Sequence, residues 1–210
     1  MKELVISSLE ELNYNKDIAK ISLRLDSLDR NKLVYSPWPS FPYNPDVQFV
    51  ASYSYDCIFL KYYVNEKNIR AENKAINSSV WEDSCVEFFI SFDDTGYYNF
   101  EFNCIGTALV GFGKEKINRH LLPADLIGEI KLHHSLLKTE KGFHWELTVA
   151  IPSHIFICHP PLILQGKKAR ANFYKCGDLL PEPHFVSWTN IESAEPNFHL
   201  PEFFGTLTFA

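Results

Sequence analysis

Two neighbouring segments with a period of two constrain the fold of this chain more than any other feature. In SCVEFFISF (84–92) and in YNFEFN (98–103), apolar side chains recur at every second position. Alternate side chains of a β-strand point to opposite faces, so each segment predicts a strand with one apolar face. The residues DDTGY (93–97) between them predict a five-residue hairpin loop, and the two strands are therefore expected to pair antiparallel.

The apolar faces of the two strands also predict their register. Matching the faces across a five-residue loop places Phe88 opposite Phe102. On the other face, Glu87 then lies opposite Asn103. Glu101 becomes a diagonal neighbour of Glu87, at roughly 5–8 Å by ordinary cross-strand spacing. The sequence therefore predicts two carboxylates close together on the face that does not pack into the core.

The rest of the chain continues the β pattern. Alternating segments recur from DVQFVASYS (46–54) to GTLTFA (205–210), and aromatic residues, which suit a pleated surface, make up 15% of the chain. Residues 1–44 are predicted to be a polar lead-in, helical in part, followed by a proline-rich loop that begins at residue 36. Residues 1–210 are therefore expected to form a single all-β domain. Its predicted fold is an antiparallel β-sandwich, jelly-roll or immunoglobulin-like, with minor helical insertions.

Composition argues against several kinds of partner. The 20 Lys and Arg against 26 Asp and Glu give a net charge of −6 without a basic stripe, which argues against nucleic acid. No apolar run approaches the ~20 residues that cross a bilayer, which argues against membrane insertion. No export signal opens the sequence, so we expect a cytoplasmic protein on this evidence, or a secreted or periplasmic one if a leader has been removed.

The predicted glutamate pair admits two chemical interpretations. Retaining glycosidases hold two carboxyl groups ~5 Å apart, so Glu87 and Glu101 are candidates for weak hydrolysis. The interpretation that we favour is binding, because the sequence contains no other enzyme motif: no GxSxG, no phosphate-binding glycine loop and no HExxH. In this interpretation, side-by-side carboxylates hydrogen-bond a neutral polar ligand, neutralise a basic neighbour or bind calcium.

Three further residues have both a structural and a functional interpretation. Asp93 and Asp94 in the hairpin loop are candidate calcium ligands, although DDTG is also typical of an ordinary turn, which we favour. Trp81 precedes the strand and is flanked by acids, so it either exposes a flat face to a ligand or caps the core. An aromatic ring beside carboxylates and amides on a strand face suits a sugar, because the ring stacks on C–H groups while polar groups bind hydroxyls.

Several motifs together resemble the carbohydrate-binding modules of family nine, in particular the stand-alone branch found in Bacteroidetes. These are VWEDSCVEFFISFDD (80–94), ANFYKCGD (171–178), SWTNI (187–191) and FHLPEFFGTLTF (198–209), and the resemblance covers about residues 45–210. It implies a β-sandwich that clamps a glycan end between two aromatic rings and holds structural calcium.

The resemblance also assigns roles by position. The two rings are Trp81 and Phe198, and the polar groups are Glu87 and Lys175, to which our own reading of the hairpin adds Asn103 and Glu101. Two departures from the xylanase-borne modules are apparent, because Glu101 stands where they have arginine and Phe198 where they have tryptophan. We therefore expect a non-catalytic domain that binds an oligosaccharide or polysaccharide, as an accessory to polysaccharide breakdown.

Two alternatives remain open at this point. The same sandwich resembles the wider group of DOMON-like domains, some of which bind haem. Met1 is the sole methionine, which leaves no methionine ligand inside the fold but permits histidine ligation. The other alternative is a scaffold domain that binds another protein and has no functional sugar site.

Overall fold

The computed structural model describes residues 2–210, and within this range the chain is built mainly from β-strands. The elements in chain order are β1 (Glu3–Ile6), α1 (Ile18–Leu25), β2 (Asn31–Lys32), β3 (Asp46–Ser54), β4 (Cys57–Glu66), β5 (Cys85–Asp93), β6 (Gly96–Asn103), β7 (Ala108–Gly113), β8 (His120–Leu121), α2 (Ala124–Ile127), β9 (Lys131–Thr139), β10 (Gly142–Pro152), β11 (Lys168–Cys176), β12 (Phe185–Ser187) and β13 (Gly205–Phe209). Three single-turn 3-10 helices lie at Val80–Glu82, Ser153–Ile155 and Pro201–Phe203. None of the helices in the described range is long and apolar enough to span a membrane.

The strands form two sheets that pack face to face. One has eight strands in the order β1-β13-β11-β5-β6-β7-β8, with β12 also paired to β11, and the other has five in the order β2-β3-β4-β10-β9. Strand pairing is antiparallel except between β1 and β13, which run parallel. The prediction of an all-β antiparallel sandwich is confirmed.

The main core lies between the inner faces of the two sheets, as alternation predicts. Ile58, Leu60, Tyr62 and Val64 of β4 are all buried there, and they face the predicted apolar side of β5 and β6. Aromatic rings dominate the contact between the sheets. For example, the rings of Phe49 and Phe173 stack with centroids 3.9 Å apart.

The predicted register of the β5–β6 hairpin is wrong by two residues. The structure pairs Phe88 with Phe100, and Glu87 directly with Glu101. The loop is much tighter than five residues, because Asp93 already pairs with Gly96 and an irregularity between Ile90 and Asp93 absorbs the extra residue. Since a slip of two positions leaves every side chain on its original face, alternation alone could not detect it.

The N-terminal segment is helical in part, as predicted, but it packs on both sheets instead of forming only a polar lead-in. Its first strand, β1, extends the eight-stranded sheet by pairing with β13, while α1 packs its buried residues Ile21 and Leu25 on the outer face of the five-stranded sheet. The amphipathic helix is capped by the preceding residue Asp17, whose carboxylate accepts a hydrogen bond from the Ala19 amide at 2.8 Å. The proline-rich segment 36–45 contains no strand or helix, as predicted.

A second, smaller apolar cluster covers part of the outer face of the eight-stranded sheet. Outward-facing residues of β5, β6 and β11, among them Phe89, Tyr97 and Tyr174, pack there against Phe198 and Phe204 from the C-terminal segment. We call this group the outer core. It turns the sheet face into the wall of a cavity rather than a solvated surface.

Candidate functional site

A cavity of about 400 Å³ opens on the outer face of the eight-stranded sheet, next to the outer core. Its lining comes from the 3-10 turn Val80–Glu82, from β5, β6 and the end of β11, and from the segments around residues 116–121 and 196–199. This volume lies within the range of about 300–1,000 Å³ that is usual for small-molecule sites. Four of the predicted binding residues meet in it: Trp81, Glu87, Glu101 and Phe198.

Trp81 presents an aromatic face at the cavity. Its side chain is in the 3-10 turn that precedes β5, where the neighbouring Val80 is fully buried while Trp81 remains 38% exposed. The backbone of Trp81 is fixed, because its carbonyl accepts a hydrogen bond from the Asp178 amide at 3.1 Å. The backbone that carries the ring is therefore fixed, and the ring itself does not belong to either core.

Phe198 forms part of the cavity wall instead of a second open platform. Its ring stacks on Tyr174 with centroids 4.1 Å apart and planes within 10° of parallel, and only 7% of the residue is exposed. The Tyr174 hydroxyl donates a hydrogen bond to the Phe198 carbonyl at 3.1 Å, which fixes the segment further. Of the two predicted rings, Trp81 has the larger free surface.

Glu87 and Glu101 lie side by side on the cavity floor, and we call them the glutamate pair. They are only 3% and 4% exposed, and as directly opposed residues their Cβ atoms are about 4.5–5.5 Å apart by usual sheet geometry. Glu87 Oε1 accepts a hydrogen bond from the Cys176 thiol at 3.1 Å, and Glu101 Oε1 accepts one from the Asn99 amide at 2.8 Å.

Burial shifts the pKa of three acids at the cavity upward. The pKa of Glu87 lies well above its ordinary value, first because burial disfavours the charged carboxylate and second because Glu101 repels it. Burial likewise raises the pKa of Glu101 to about 7 and the pKa of Asp178 to about 6. Such shifted carboxyl groups are typical of ligand sites, although ion-pair networks also produce them.

This shift predicts a pH-dependent stability. Since the ordinary pKa of Glu101 is 4.5 and its pKa in the folded protein is about 7, folding favours the protonated acid, and stability is lost as the pH rises through this window. The free energy of unfolding of Glu101→Gln, relative to that of the unmodified protein, should therefore increase from pH 5 to pH 8 by on the order of 2 kcal/mol. Urea denaturation of both proteins at the two pH values measures this gain.

The two proteins must be compared with each other, because two buried histidines change the stability with pH in the direction opposite to Glu101. Burial lowers the pKa of His184 and of His199 to about 3, so they destabilise the folded protein as the pH falls below 6.5. They contribute equally to both proteins and cancel in the difference. Glu140→Gln, on an exposed turn between β9 and β10, is the matched control and should show no gain. An equal gain in both variants would contradict the assignment to Glu101.

Arg119 and Asn99 are cavity residues that the sequence did not single out. The Asn99 side chain connects them to the glutamate pair, because its oxygen accepts from Arg119 Nε at 2.8 Å while its amide donates to Glu101. Arg119 also donates to the Tyr97 carbonyl at 2.7 Å, and its guanidinium lies 4.2 Å from the centre of the Tyr97 ring. Asn99 shares the outward face with Glu101, which was a usable signal, whereas Arg119 sits in an irregular loop without any.

The structure places Lys175 and Asn103 away from the cavity, contrary to the prediction that they bind ligand. Lys175 is fully buried on the inward face of β11, where its Nζ lies 2.9 Å from Glu66 Oε2 and 2.7 Å from His184 Nε2. The amide of Asn103 is also fully buried and donates to Asp83 Oδ2 at 2.9 Å and to the Asn73 carbonyl at 2.8 Å. Both side chains support the fold.

The two aspartates of the β5–β6 turn form a turn motif. Asp93 Oδ1 accepts from the Thr95 amide at 2.8 Å and from the Thr95 hydroxyl at 2.5 Å, and Asp93 Oδ2 lies 3.3 Å from His159 Nε2. Asp94 is exposed. Calcium takes about six to eight oxygen ligands, and this turn offers few that are not already engaged. The residues therefore fit the turn interpretation, and calcium binding by the chain stays a prediction.

Comparisons with known proteins agree with the architecture. A protein from Bacteroides uniformis ATCC 8492, described as a candidate carbohydrate-binding protein, is 38% identical, with a TM-score of 0.92 over 100% of this chain and 99% of that chain. A family 9 carbohydrate-binding module from Caldicellulosiruptor kristjanssonii, solved with glucose, is 11% identical, with a TM-score of 0.61 over 100% of this chain and 96% of that one. The cellotriose complex of a family 9 module from the same organism gives 12% identity and a TM-score of 0.59, over 99% and 93% of the two chains.

The family itself follows from the sequence match. Among curated proteins, none matches the chain. The family model described as carbohydrate-binding family 9 matches residues 17–209, which is most of the chain. The resemblance inferred from the motifs around Trp81 and Phe198 is confirmed, and the chain belongs to carbohydrate-binding family 9.

Proposed function

We propose that the chain is a non-catalytic module that binds an oligosaccharide or polysaccharide in the cavity, as an accessory to the breakdown of a plant or microbial glycan. The observation that carries this proposal is the exposed ring of Trp81 beside a floor of two buried carboxyl groups. A sugar ring presents C–H groups that stack on an aromatic face and hydroxyls that hydrogen-bond acceptors. The glucose and cellotriose complexes of family members with this fold support the ligand class.

Affinity and selectivity would come from different parts of this cavity. Stacking on Trp81 removes apolar surface from water, and that contribution depends little on the identity of the sugar. The glutamate pair selects by hydroxyl geometry, because a buried acceptor left without a donor costs roughly 1–3 kcal/mol. We therefore expect modest affinity, with sugars distinguished by the hydroxyls that reach Glu87 and Glu101.

The position of Phe198 bears on whether a chain end is clamped. A clamp needs two open aromatic faces, and the ring of Phe198 is stacked on Tyr174 with little free surface.

Titration calorimetry with cello- and xylo-oligosaccharides, each used before and after borohydride reduction of its reducing end, tests both the proposed function and the binding mode. Binding of both forms would indicate recognition within the glycan or of a side group, and binding lost on reduction would indicate an end-capping mode. No heat with any sugar contradicts the proposed function.

Hydrolysis is the weaker interpretation of the glutamate pair. Retaining glycosidases place their two carboxyl groups across the scissile bond and keep one of them ionised. Here the two lie side by side on neighbouring strands and the pKa of each is raised. We expect no release of reducing sugar from xylan or from aryl-glycosides. A release that disappears in Glu87→Gln would contradict the non-catalytic assignment.

A further inference from the structure

We propose that the cavity prefers a sugar that carries a protonated amino group, such as a glucosamine unit, over the neutral sugar of the same shape. The inference rests on the proposed carbohydrate-binding function and concerns the ligand class of the same cavity. Two observations support it: the glutamate pair has no ion-pair partner, and the nearby Arg119 is engaged by other groups.

The glutamate pair has no cationic partner in the described range, residues 2–210. No Lys, Arg or His nitrogen lies within 4.0 Å of either carboxyl group, although several ion pairs are found elsewhere in this part of the chain. The two hydrogen bonds that the pair accepts come from neutral donors, the thiol of Cys176 and the amide of Asn99. In both residues, Oε1 is the bonded oxygen, which leaves each Oε2 for a ligand.

Arg119, the half-buried cation near the pair, is already bonded to other groups. Arg119 donates to neutral oxygens, namely the Asn99 side chain and the carbonyls of Tyr97 and Glu115 at 2.7–2.8 Å. Its guanidinium also lies over the Tyr97 ring. Moving Arg119 onto a glutamate would break these contacts, so it is not a ready counter-ion for the pair.

The acids outnumber the bases that line the cavity. Glu87, Glu101 and Asp178 line it together with two bases, Arg119 and the exposed Lys116. Burial raises the pKa of both glutamates; repulsion by Glu101 adds to the rise at Glu87, and repulsion by Asp178 adds to the rise at Glu101, where the charge of Arg119 opposes it. Without a cation at ion-pair distance, the pair reduces this repulsion by retaining a proton, as closely spaced carboxyl groups do. A ligand that brings a positive charge would relieve the same repulsion.

An ammonium group suits the pair better than a hydroxyl does. It offers three donors to a hydroxyl's one, so it can reach the free oxygens of both glutamates at once. Hydrogen bonds between charged partners are about twice as strong as neutral ones. The nearby ring of Trp81 would still stack on the sugar, so a charged amino sugar uses both features of the cavity.

Proton release gives this inference a distinctive signature. An ammonium that binds the pair stabilises its charged form, so a proton should leave as the ligand enters. Several of the other groups facing the pair stay in one state near pH 6.0, because the pKa of His199 is lowered to about 3 and those of Cys85 and Tyr97 are raised to about 12. Asp178, whose pKa burial raises to about 6, titrates in the same range and would add to the proton that leaves. The titratable and charged groups that face the pair, apart from its own two members, are Cys85, Cys176, Tyr97, Tyr174, His199, Lys116, Arg119 and Asp178.

The test uses three β-1,4-linked disaccharides that differ only at carbon 2. Cellobiose carries a hydroxyl, fully deacetylated chitobiose an ammonium, and N,N′-diacetylchitobiose a neutral acetamido group. In calorimetry at pH 6.0, we expect the deacetylated disaccharide to bind at least about tenfold more tightly than cellobiose. In two buffers with different heats of ionisation, it should release a proton that cellobiose does not release.

Substitutions in the glutamate pair test whether the pair causes the preference for the charged sugar. Glu101→Gln should reduce the preference for the charged sugar to about threefold or less, and Glu87→Gln provides a second variant in case the first does not fold. Glu140→Gln, far along the sequence on an exposed turn, makes the same chemical change as a control and should keep the preference.

The outcomes separate this inference from the proposed function. Cellobiose binding as tightly as the charged disaccharide, or equal proton exchange with both, overturns the inference and leaves carbohydrate binding intact. A preference that persists in both Glu87→Gln and Glu101→Gln also overturns it, because the pair is then not its cause. No binding of any of the three disaccharides contradicts the proposed function itself.

Discussion

Trp81→Ala is expected to abolish measurable carbohydrate binding while leaving the fold intact. The ring is 38% exposed, which makes it the most exposed aromatic side chain that lines the cavity. Tryptophan anchors of this kind commonly contribute 2–4 kcal/mol or more to a binding interface, about a hundredfold in affinity. Calorimetry with the best oligosaccharide ligand measures the loss.

Stability separates this role from a structural one. Substitutions of exposed side chains usually change the free energy of unfolding by about 0.5 kcal/mol or less, and a half-exposed ring should cost little more. Trp188, which is only 1% exposed and packs in the main core, provides the matched control. Trp188→Ala should destabilise by roughly 3–5 kcal/mol. If Trp81→Ala lowers the melting temperature as much as Trp188→Ala does, Trp81 is a core residue and the prediction fails.

Lys175→Met is expected to destabilise the protein strongly and to leave sugar binding by the folded fraction unchanged. Lys175 and Glu66 form a fully buried ion pair with Nζ and Oε2 2.9 Å apart, and Glu66 Oε1 accepts from Trp145 Nε1 at 2.6 Å. Removing the lysine leaves an uncompensated buried carboxylate, which typically costs about 3–5 kcal/mol. Urea denaturation measures the loss of stability.

Two further variants test the cause of this loss. Adding Glu66→Gln to Lys175→Met removes the stranded charge but keeps an acceptor oxygen for Trp145, so most of the lost stability should return. Lys67→Met breaks an exposed ion pair with Glu182 and should leave the free energy of unfolding nearly unchanged, because water screens exposed charges. A loss of sugar affinity in folded Lys175→Met, with stability unchanged, would instead restore Lys175 to the binding site.

The faces of the β5–β6 hairpin could be predicted from the sequence, but its register could not. Alternation assigned Phe88 to the core and placed Glu87 and Glu101 together on the outer face, because the side-chain period of a strand is two. The register depends on the length of the turn, which is set by local contacts around Gly96. A Cβ there would lie 2.9 Å from the Gly113 carbonyl, a contact from β7 that no reading of the hairpin alone reveals.

The sequence predicts the part of the site that lies on one face of the β5–β6 hairpin and in the motif beside it. Trp81 and the glutamate pair were found because they lie next to each other in the motif or on the hairpin. Lys175 was misplaced because position in a family motif does not say on which face of β11 the side chain lies. Arg119 was missed because it reaches the cavity from an irregular loop, where no period relates residue number to direction.

The outer core has a consequence for the cost of binding. Phe198 is fixed by its stack on Tyr174, and the loop of Arg119 is tied to β6 by hydrogen bonds. The walls of the cavity are thus ordered by folding, before any ligand arrives. A sugar entering such a preorganised cavity immobilises few side chains, so the entropy lost on binding should fall mainly on the ligand.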